Sequence, residues 1–302
     1  MPSTDKPLNL TGLLNLFVVY IVWGSTYLAI RVAVREGSGF TPFMMGALRV
    51  TIGGFLLLAW SVLRQKRIKP DREEFIILLF SGLLLWLGGN GLVNWAEQRA
   101  DSGLAALIIA ATPIWVAMVT ALVDKELPTL RMVAALLVGF AGMTVLSIPT
   151  LTSGVRSDFW SIVALLGAGL SWGTGSVLQS RKPVKLDVVV SAGYQQFFGG
   201  IGLLVLALLL KEPIPNPVRE AWLAWGYLVV FGSLFAFTAF VRALQLLPTK
   251  IVMTYAYINP VIAVFLGWLI LRETVSLWTY GGAALVLLGV AGVFRERYRG
   301  TS

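Results

Sequence analysis

The chain has no cysteine and no histidine, and only 13% of its 302 residues are charged. Lacking cysteine, it can form no disulfide and do no thiolate chemistry. Lacking histidine, it has no imidazole proton relay, no Ser-His triad and none of the usual zinc sites, so neither a metal nor a cofactor is expected. The shortage of charge argues against a soluble domain, which at this size would need a charged shell around its core. With 57% hydrophobic residues, the chain falls among membrane proteins. A basic stripe is missing too. The net charge of +9 is scattered in short clusters between apolar segments, which argues against nucleic acid as a partner. The N-terminal MPSTDKPLNL has neither the layout of a cleavable signal nor a small-residue cleavage site after the first apolar segment, which is expected to stay in the mature protein.

A hydrocarbon core of about 30 Å is crossed by about 20 helical residues, and ten segments of that length can be marked: 11–31, 41–63, 74–95, 101–122, 131–148, 158–178, 188–210, 220–242, 249–271 and 277–294. Pro70, Pro128, Pro149, Pro183, the Pro213/Pro215/Pro217 run and Pro248 separate them, and Ser157-Asp158 and Asp187 read as helix N-caps. The loops are short and hold no soluble insertion. The expected fold class is an all-α membrane protein of ten transmembrane helices, with the lipid bilayer as a partner.

The chain repeats itself. Moved forward by 147 positions, Asn94–Gly142 lies without a gap on Val241–Gly289, pairing Gln98 with Gln245, Pro113 with Pro260, Glu126 with Glu273 and Gly142 with Gly289. Upstream, Trp23-Gly24-Ser25 is echoed 149 residues on by Trp172-Gly173-Thr174, and Gly53-Gly54 is echoed 146 on by Gly199-Gly200. Two units follow, 1–148 and 158–302, each of five spans.

Lysine and arginine set the orientation. With the N-terminus inside, 16 of the 24 basic residues fall on cytoplasmic pieces and seven on outer ones, which puts both termini in the cytoplasm. Five is odd, so the second unit enters the membrane from the opposite face and the repeats are inverted. Secondary transporters with inverted repeats bind substrate near the midplane, between the halves.

The five-plus-five layout, the Val22–Thr26 VWGST turn echoed by Ser171–Gly175, the mid-span Pro113 and Pro260, and the terminal Glu126 and Glu273 resemble the EamA-type branch of the drug/metabolite transporter superfamily. The resemblance covers about residues 11–295. Within the branch the chain is most similar to YddG-type bacterial exporters of aromatic and other neutral amino acids. That resemblance implies a multi-pass protein of the bacterial inner membrane that moves small metabolites out of the cytoplasm by alternating access; the expected working unit is a monomer.

The candidate substrate-contacting residues follow from polar and aromatic groups at mid-span. Arg49 is the only ionisable side chain deep in a span, where a charge costs at least about 2.5–3.5 kcal/mol unless it faces the bundle interior or a cavity. It reads either as a counter-charge for a carboxylate or as a side chain that bonds backbone carbonyls or snorkels toward a surface, and Gln195 is its uncharged counterpart in the second unit. Asn90 and Asn94 stand one turn apart, hence on one face, for a substrate or for helix-to-helix bonding. Thr112-Pro113 and Asn259-Pro260 place a kink and a freed carbonyl near the middle of each unit. Of Tyr255 and Tyr257, about 200° apart on a helix, at most one faces a cavity. Trp23-Gly24 with Thr26, and Trp172-Gly173, serve either as packing seams or as walls that stack on substrate. Tyr194-Gln195-Gln196 must send at least one side chain inward.

No carboxylate lies at mid-span, which favours uncoupled, gradient-driven movement over proton coupling; Glu97 and Asp101, near the junction of spans 3 and 4, read as helix caps. Sugar phosphates would require several intramembrane cations, and organic cations a buried carboxylate. Neutral amino acids and similar amphipathic metabolites fit best, with broader proton-coupled efflux of drugs, metabolites or nucleosides as the alternative. An intramembrane enzyme has only lone serines to work with. A non-transporting scaffold explains matched repeats with polar midplanes poorly.

Overall fold

The computed structural model describes residues 9–100, 102–152, 158–262 and 276–297, and every regular element among them is helical. Nine helices among the described residues are long and apolar enough to cross a membrane. They are α1 (Leu10–Val34), α2 (Pro42–Leu63), α3 (Arg72–Ala96), α4 (Leu104–Asp124), α5 (Leu130–Thr152), α6 (Phe159–Arg181), α7 (Val188–Leu209), α8 (Arg219–Leu246) and α10 (Leu277–Arg297). Between α8 and α10 the chain opens α9 with Thr249–Val252 and is helical again over 255–262. The rest of expected span 9, with Arg272 and Glu273, lies outside the described residues, as do Lys6, Asp101, Arg156, Ser157 and Arg299.

Side chains start several of these helices where the sequence suggests. Asp158 Oδ1 accepts from the Ser161 N–H at 2.7 Å and Asp187 Oδ1 from Val189 at 2.9 Å, while Asp71 and Glu74 form a reciprocal capping box on α3. Pro149, expected as a breaker, does not stop α5, which runs on to Thr152. So near a helix end its ring removes only one ladder bond.

Two helices carry a feature that the residue pattern does not announce. α3 is π-helical over Leu83–Gly91 and α8 over Leu228–Phe237. The two stretches overlap when one is moved by the repeat length. Each π turn holds one residue more than an α turn, which shifts the phase of everything beyond it.

Helix pairing has a simple pattern. α2 packs on α7, α5 on α10, α3 on α6 and α1 on α8. Exchanging each helix with the one five places along returns the same set of pairs. Along α2 and α7, Gly46 faces Leu203, Thr51 faces Gly200, Gly53 faces Gln196 and Leu58 faces Gly193, so the two run antiparallel. Along α5 and α10, Ala135 faces Gly292, Gly139 faces Gly289, Gly142 faces Val286 and Leu146 faces Gly282, again antiparallel. A Cβ built on Gly289 would lie 2.5 Å from the Gly139 backbone. Glycine is what lets helices approach this closely in lipid, where no hydrophobic force drives them together.

Candidate functional site

Where α1, α2, α3, α4, α6 and α9 converge, a central cavity opens, and its wall carries Trp23, Thr26, Arg49, Asn90, Thr112, Trp172, Tyr255 and Asn259, together with Tyr27, Trp86 and Val93. The void between the atoms is about 570 Å³, of which about 60 Å³ is open to the centre of a water molecule. The first figure suits a small metabolite. The second leaves room for only a few waters, so the cavity is narrow as it stands.

Aromatic rings form its floor. Trp23 meets Trp172 and Tyr255 edge to face at 5.4 and 5.0 Å, and Phe240 at a tilt at 5.1 Å. Trp86 stands 6.0 Å from Trp172 and 4.8 Å from Phe237. Sequence reasoning misses Trp86 and Tyr27 as wall residues, although Trp86 lies one turn before Asn90.

Arg49 is 2% exposed. Its Nε donates to Ser233 Oγ at 2.9 Å, and its guanidinium lies 5.4 Å from the centre of the Trp86 ring. Positions 86 and 233 are 147 apart, so equivalent sites in the two π stretches hold this one cation between a ring face and a hydroxyl. Its Nη1 has no partner within the protein, nor do Asn90 Oδ1, Trp86 Nε1 and Trp172 Nε1. A buried polar atom without a partner costs about 1–3 kcal/mol, and four of them belong to residues of one cavity wall.

The π stretches also give up carbonyls. Trp23 Nε1 donates to Gly232 O at 3.2 Å, and Ser171 Oγ donates to Leu84 O at 2.8 Å. The donors come from the Trp-Gly turns of α1 and α6, and the acceptors from the π stretches of α8 and α3. The carbonyl freed by the first proline is likewise satisfied locally. Pro113 frees the carbonyl of Ile109, which accepts from Thr112 Oγ1 at 2.6 Å. The Asn259 amide, turned to donate, reaches Tyr255 O at 3.0 Å and Tyr20 O at 3.2 Å.

Gly24 lies against the Asn259 carbonyl, and Gly173 against Val116, so each Trp-Gly glycine packs on a proline-bearing helix. Pro113 turns away from the central cavity into a second and larger one, with about 350 Å³ open to the centre of a water molecule, shared with Val116, Asp124, Arg181 and Lys250. α4 thus passes from one cavity to the other at Thr112-Pro113. Pro260 is buried and stands outside the central wall.

Three candidate contacts are placed elsewhere. Asn94 is fully buried, and its Nδ2 donates to Pro42 O at 3.3 Å, joining α3 to α2. The expectation that it shares a face with Asn90 fails: the wall runs from Asn90 through Val93, and Asn94 beside it turns to the backbone of α2. Gln195 donates to Ser81 Oγ and Gln179 Oε1, both at 2.9 Å, and lines a separate cleft near Lys182. Tyr194 donates to Ile68 O at 2.9 Å and stacks on Phe198. Of the three consecutive residues, Gln196 points inward, donating to Ser233 O at 3.2 Å. Tyr255 faces the central cavity, whereas Tyr257 packs against α5 and donates to Leu136 O at 3.0 Å.

Glu97 also departs from its expected role. Its side chain caps nothing: it is 0% exposed, and neither carboxylate oxygen has a hydrogen-bond partner. Burial pushes this carboxyl well above the usual carboxylate range, against the opposing pull of Arg31.

The description "EamA-like transporter family" fits the chain twice, over residues 10–148 and 159–295. The chain is 33% identical to the uncharacterized inner membrane transporter YedA of Escherichia coli (strain K12), over 94% of this chain and 90% of that one. It is 24% identical to the uncharacterized transporter YoaV of Bacillus subtilis (strain 168), over 92% and 94%. A solved crystal structure with 22% identity superimposes with a TM-score of 0.76, covering 96% of this chain and 99% of that one, which shows the fold.

Proposed function

The chain belongs to the EamA-like transporter family, and on that footing we propose that it exports small neutral metabolites, aromatic and other neutral amino acids foremost, by alternating access at the central cavity. Its place is a bacterial inner membrane, the location named for YedA. The two family matches follow the two repeats read from the sequence. The antiparallel pairing of α2 with α7 and of α5 with α10, and the pairing pattern that survives exchange of the halves, support an inverted arrangement of ten spans with both termini in the cytoplasm. By the same topology the second cavity, with Asp124, Arg181 and Lys250, opens toward the cytoplasm.

The observation that carries the substrate class is the set of unpartnered polar atoms in an aromatic cavity. Arg49 Nη1 matches a carboxylate, Asn90 Oδ1 accepts from an ammonium group, and the faces of Trp23, Trp172 and Tyr255 suit an apolar side chain. A single cation answers a single negative charge, whereas a phosphate or nucleotide sugar would call for more. The substrate therefore carries one carboxylate, one ammonium group and an apolar body.

Purified protein in liposomes, preloaded with unlabelled tryptophan and assayed for counterflow of labelled tryptophan, tests the reading against a competing panel. Phenylalanine, tyrosine and leucine should compete. Sugar phosphates and quaternary amines should not. If no member of the panel moves, the reading is wrong and a scaffold role takes its place.

A further inference from the structure

We infer that Glu97 is the proton-binding group of a proton-driven exchange, sitting where α1 and α3 close the outer end of the central cavity. The inference rests on the carrier reading above and adds the coupling ion to it.

The geometry starts from the cavity wall. Trp86, Asn90 and Val93 run along α3 as one lining stripe. Glu97 lies one turn beyond Val93, its N–H donating to the Val93 carbonyl at 2.9 Å. On α1, Tyr27 and Ile30 line the cavity, and Arg31 lies one turn beyond Tyr27. Arg31 Nη1 donates to the Glu97 backbone carbonyl, and its charge acts on the Glu97 carboxylate. The two helices therefore continue past the lined region to an arginine on α1 that holds the main chain at Glu97. The Tyr27 side chain lies within electrostatic reach of the same carboxylate, which ties the acid to a residue of the wall.

Among the described residues, the titratable and charged groups around Glu97 are few. α1 presents Arg31 and Tyr27. On the segment of Glu97 itself, Arg99 turns instead to Asp158 at the start of α6, 3.5 Å away, and to the Trp95 ring. α2 contributes Arg49, which is engaged with Ser233 and Trp86 deeper in the bundle. A carboxylate fully out of water with both oxygens unpartnered is a poor permanent resident and a good proton acceptor. The position equivalent to 97 in the second repeat is Leu244, so only one end of the molecule carries the device. At the other end, Arg181 of α6 pairs instead with Asp124 of α4, in a contact that is partly exposed.

The step is a simple protonation. With the outer end open, the carboxylate takes a proton from outside water and becomes a neutral acid, which ends its charge attraction to Arg31. With the inner end open, the proton leaves to cytoplasmic water. The carboxylate is restored, and the substrate has moved the other way.

The test is counterflow and net transport of labelled tryptophan in liposomes holding wild-type protein, Glu97→Gln or Glu97→Asp, with and without an imposed pH difference. For one-for-one exchange, each pH unit across the wild-type membrane should shift the final substrate ratio by up to about tenfold. Glu97→Gln should keep tryptophan counterflow, which also shows that it is folded, and lose the response to pH difference. Glu97→Asp should keep the response with its pH profile displaced. The proposal is overturned if wild-type transport ignores the pH difference, or if Glu97→Gln responds to it as wild type does, and in both cases the carrier reading survives. A wild type with no transport of any kind removes the carrier reading and this proposal together.

Discussion

Trp23 and Trp172 hold the same place in the two repeats and meet edge to face across the seam, their ring centroids 5.4 Å apart at an interplanar angle of 80°. Trp23 adds a hydrogen bond to the Gly232 carbonyl of α8, so this ring is fixed at its edge as well as its face. In the alternating access proposed above, a rocking motion of the halves would part the two rings, and a substrate side chain entering between them would replace one aromatic contact by another.

Trp172→Ala should therefore weaken substrate binding. An aromatic contact is worth about 0.5–1.5 kcal/mol, and Trp172 makes several, so KM for labelled tryptophan in liposomes should rise by about tenfold or more. Trp160→Ala, at a ring 65% exposed on the outer surface, should leave KM where it was.

Arg49→Gln removes the only charge among the described residues of the cavity wall. A hydrogen bond to a charged group is worth about 1.5–3 kcal/mol, so KM for amino acids should rise by about 10- to 150-fold. Amino-acid methyl esters, which lack the carboxylate, should lose nothing. Equal losses for acids and esters would assign Arg49 a packing role.

Asn94→Ala and Gln195→Ala should lower thermal stability in detergent without changing KM. An intramembrane hydrogen bond contributes about 0.6–2 kcal/mol. Asn94 makes one such bond and Gln195 two, so Gln195→Ala should unfold at the lower temperature of the two.

α10 carries its own control for the packing argument. Gly289→Leu forces a side chain into the Gly139 backbone and should cost about 1–3 kcal/mol, read as reduced yield and an earlier thermal transition. Gly281→Leu, on the same helix with nothing within 4 Å of its would-be Cβ, should be tolerated.

Glu97 gives a pH signature in stability as well as in transport. Burial raises its pKa in the folded protein, so the folded state binds more protons than the unfolded state between the two values, and stability falls as pH rises through that window. Its contribution is fully present below the unfolded value of about 4.3 and is lost above the folded one. Glu97→Gln removes the dependence, so its thermal transition should pull ahead of wild type as pH rises from acid to alkaline.

Much of the architecture is legible in the amino-acid sequence, because the repeat in Asn94–Gly142 and Val241–Gly289 and the length of the apolar segments are direct consequences of crossing lipid twice over. The cavity wall is partly legible for the same reason. A polar or aromatic group such as Arg49, Asn90 or Asn259 in the middle of a span needs somewhere to face. Asn94, Gln195 and Tyr194 escape because a polar side chain can meet its need on a neighbouring segment of the chain. The π stretches are slips of backbone hydrogen bonding that composition does not record. Glu97 passes for a cap because hydropathy marks where a helix leaves the apolar range and cannot see that the side chains of α1 cover its end.

The pairing of α2 with α7 and of α5 with α10 means that a helix touches its own counterpart. Such a surface is self-complementary in the manner of a twofold dimer. A polypeptide of five such helices already bears, on one molecule, both faces that a second copy would need to lie down beside it.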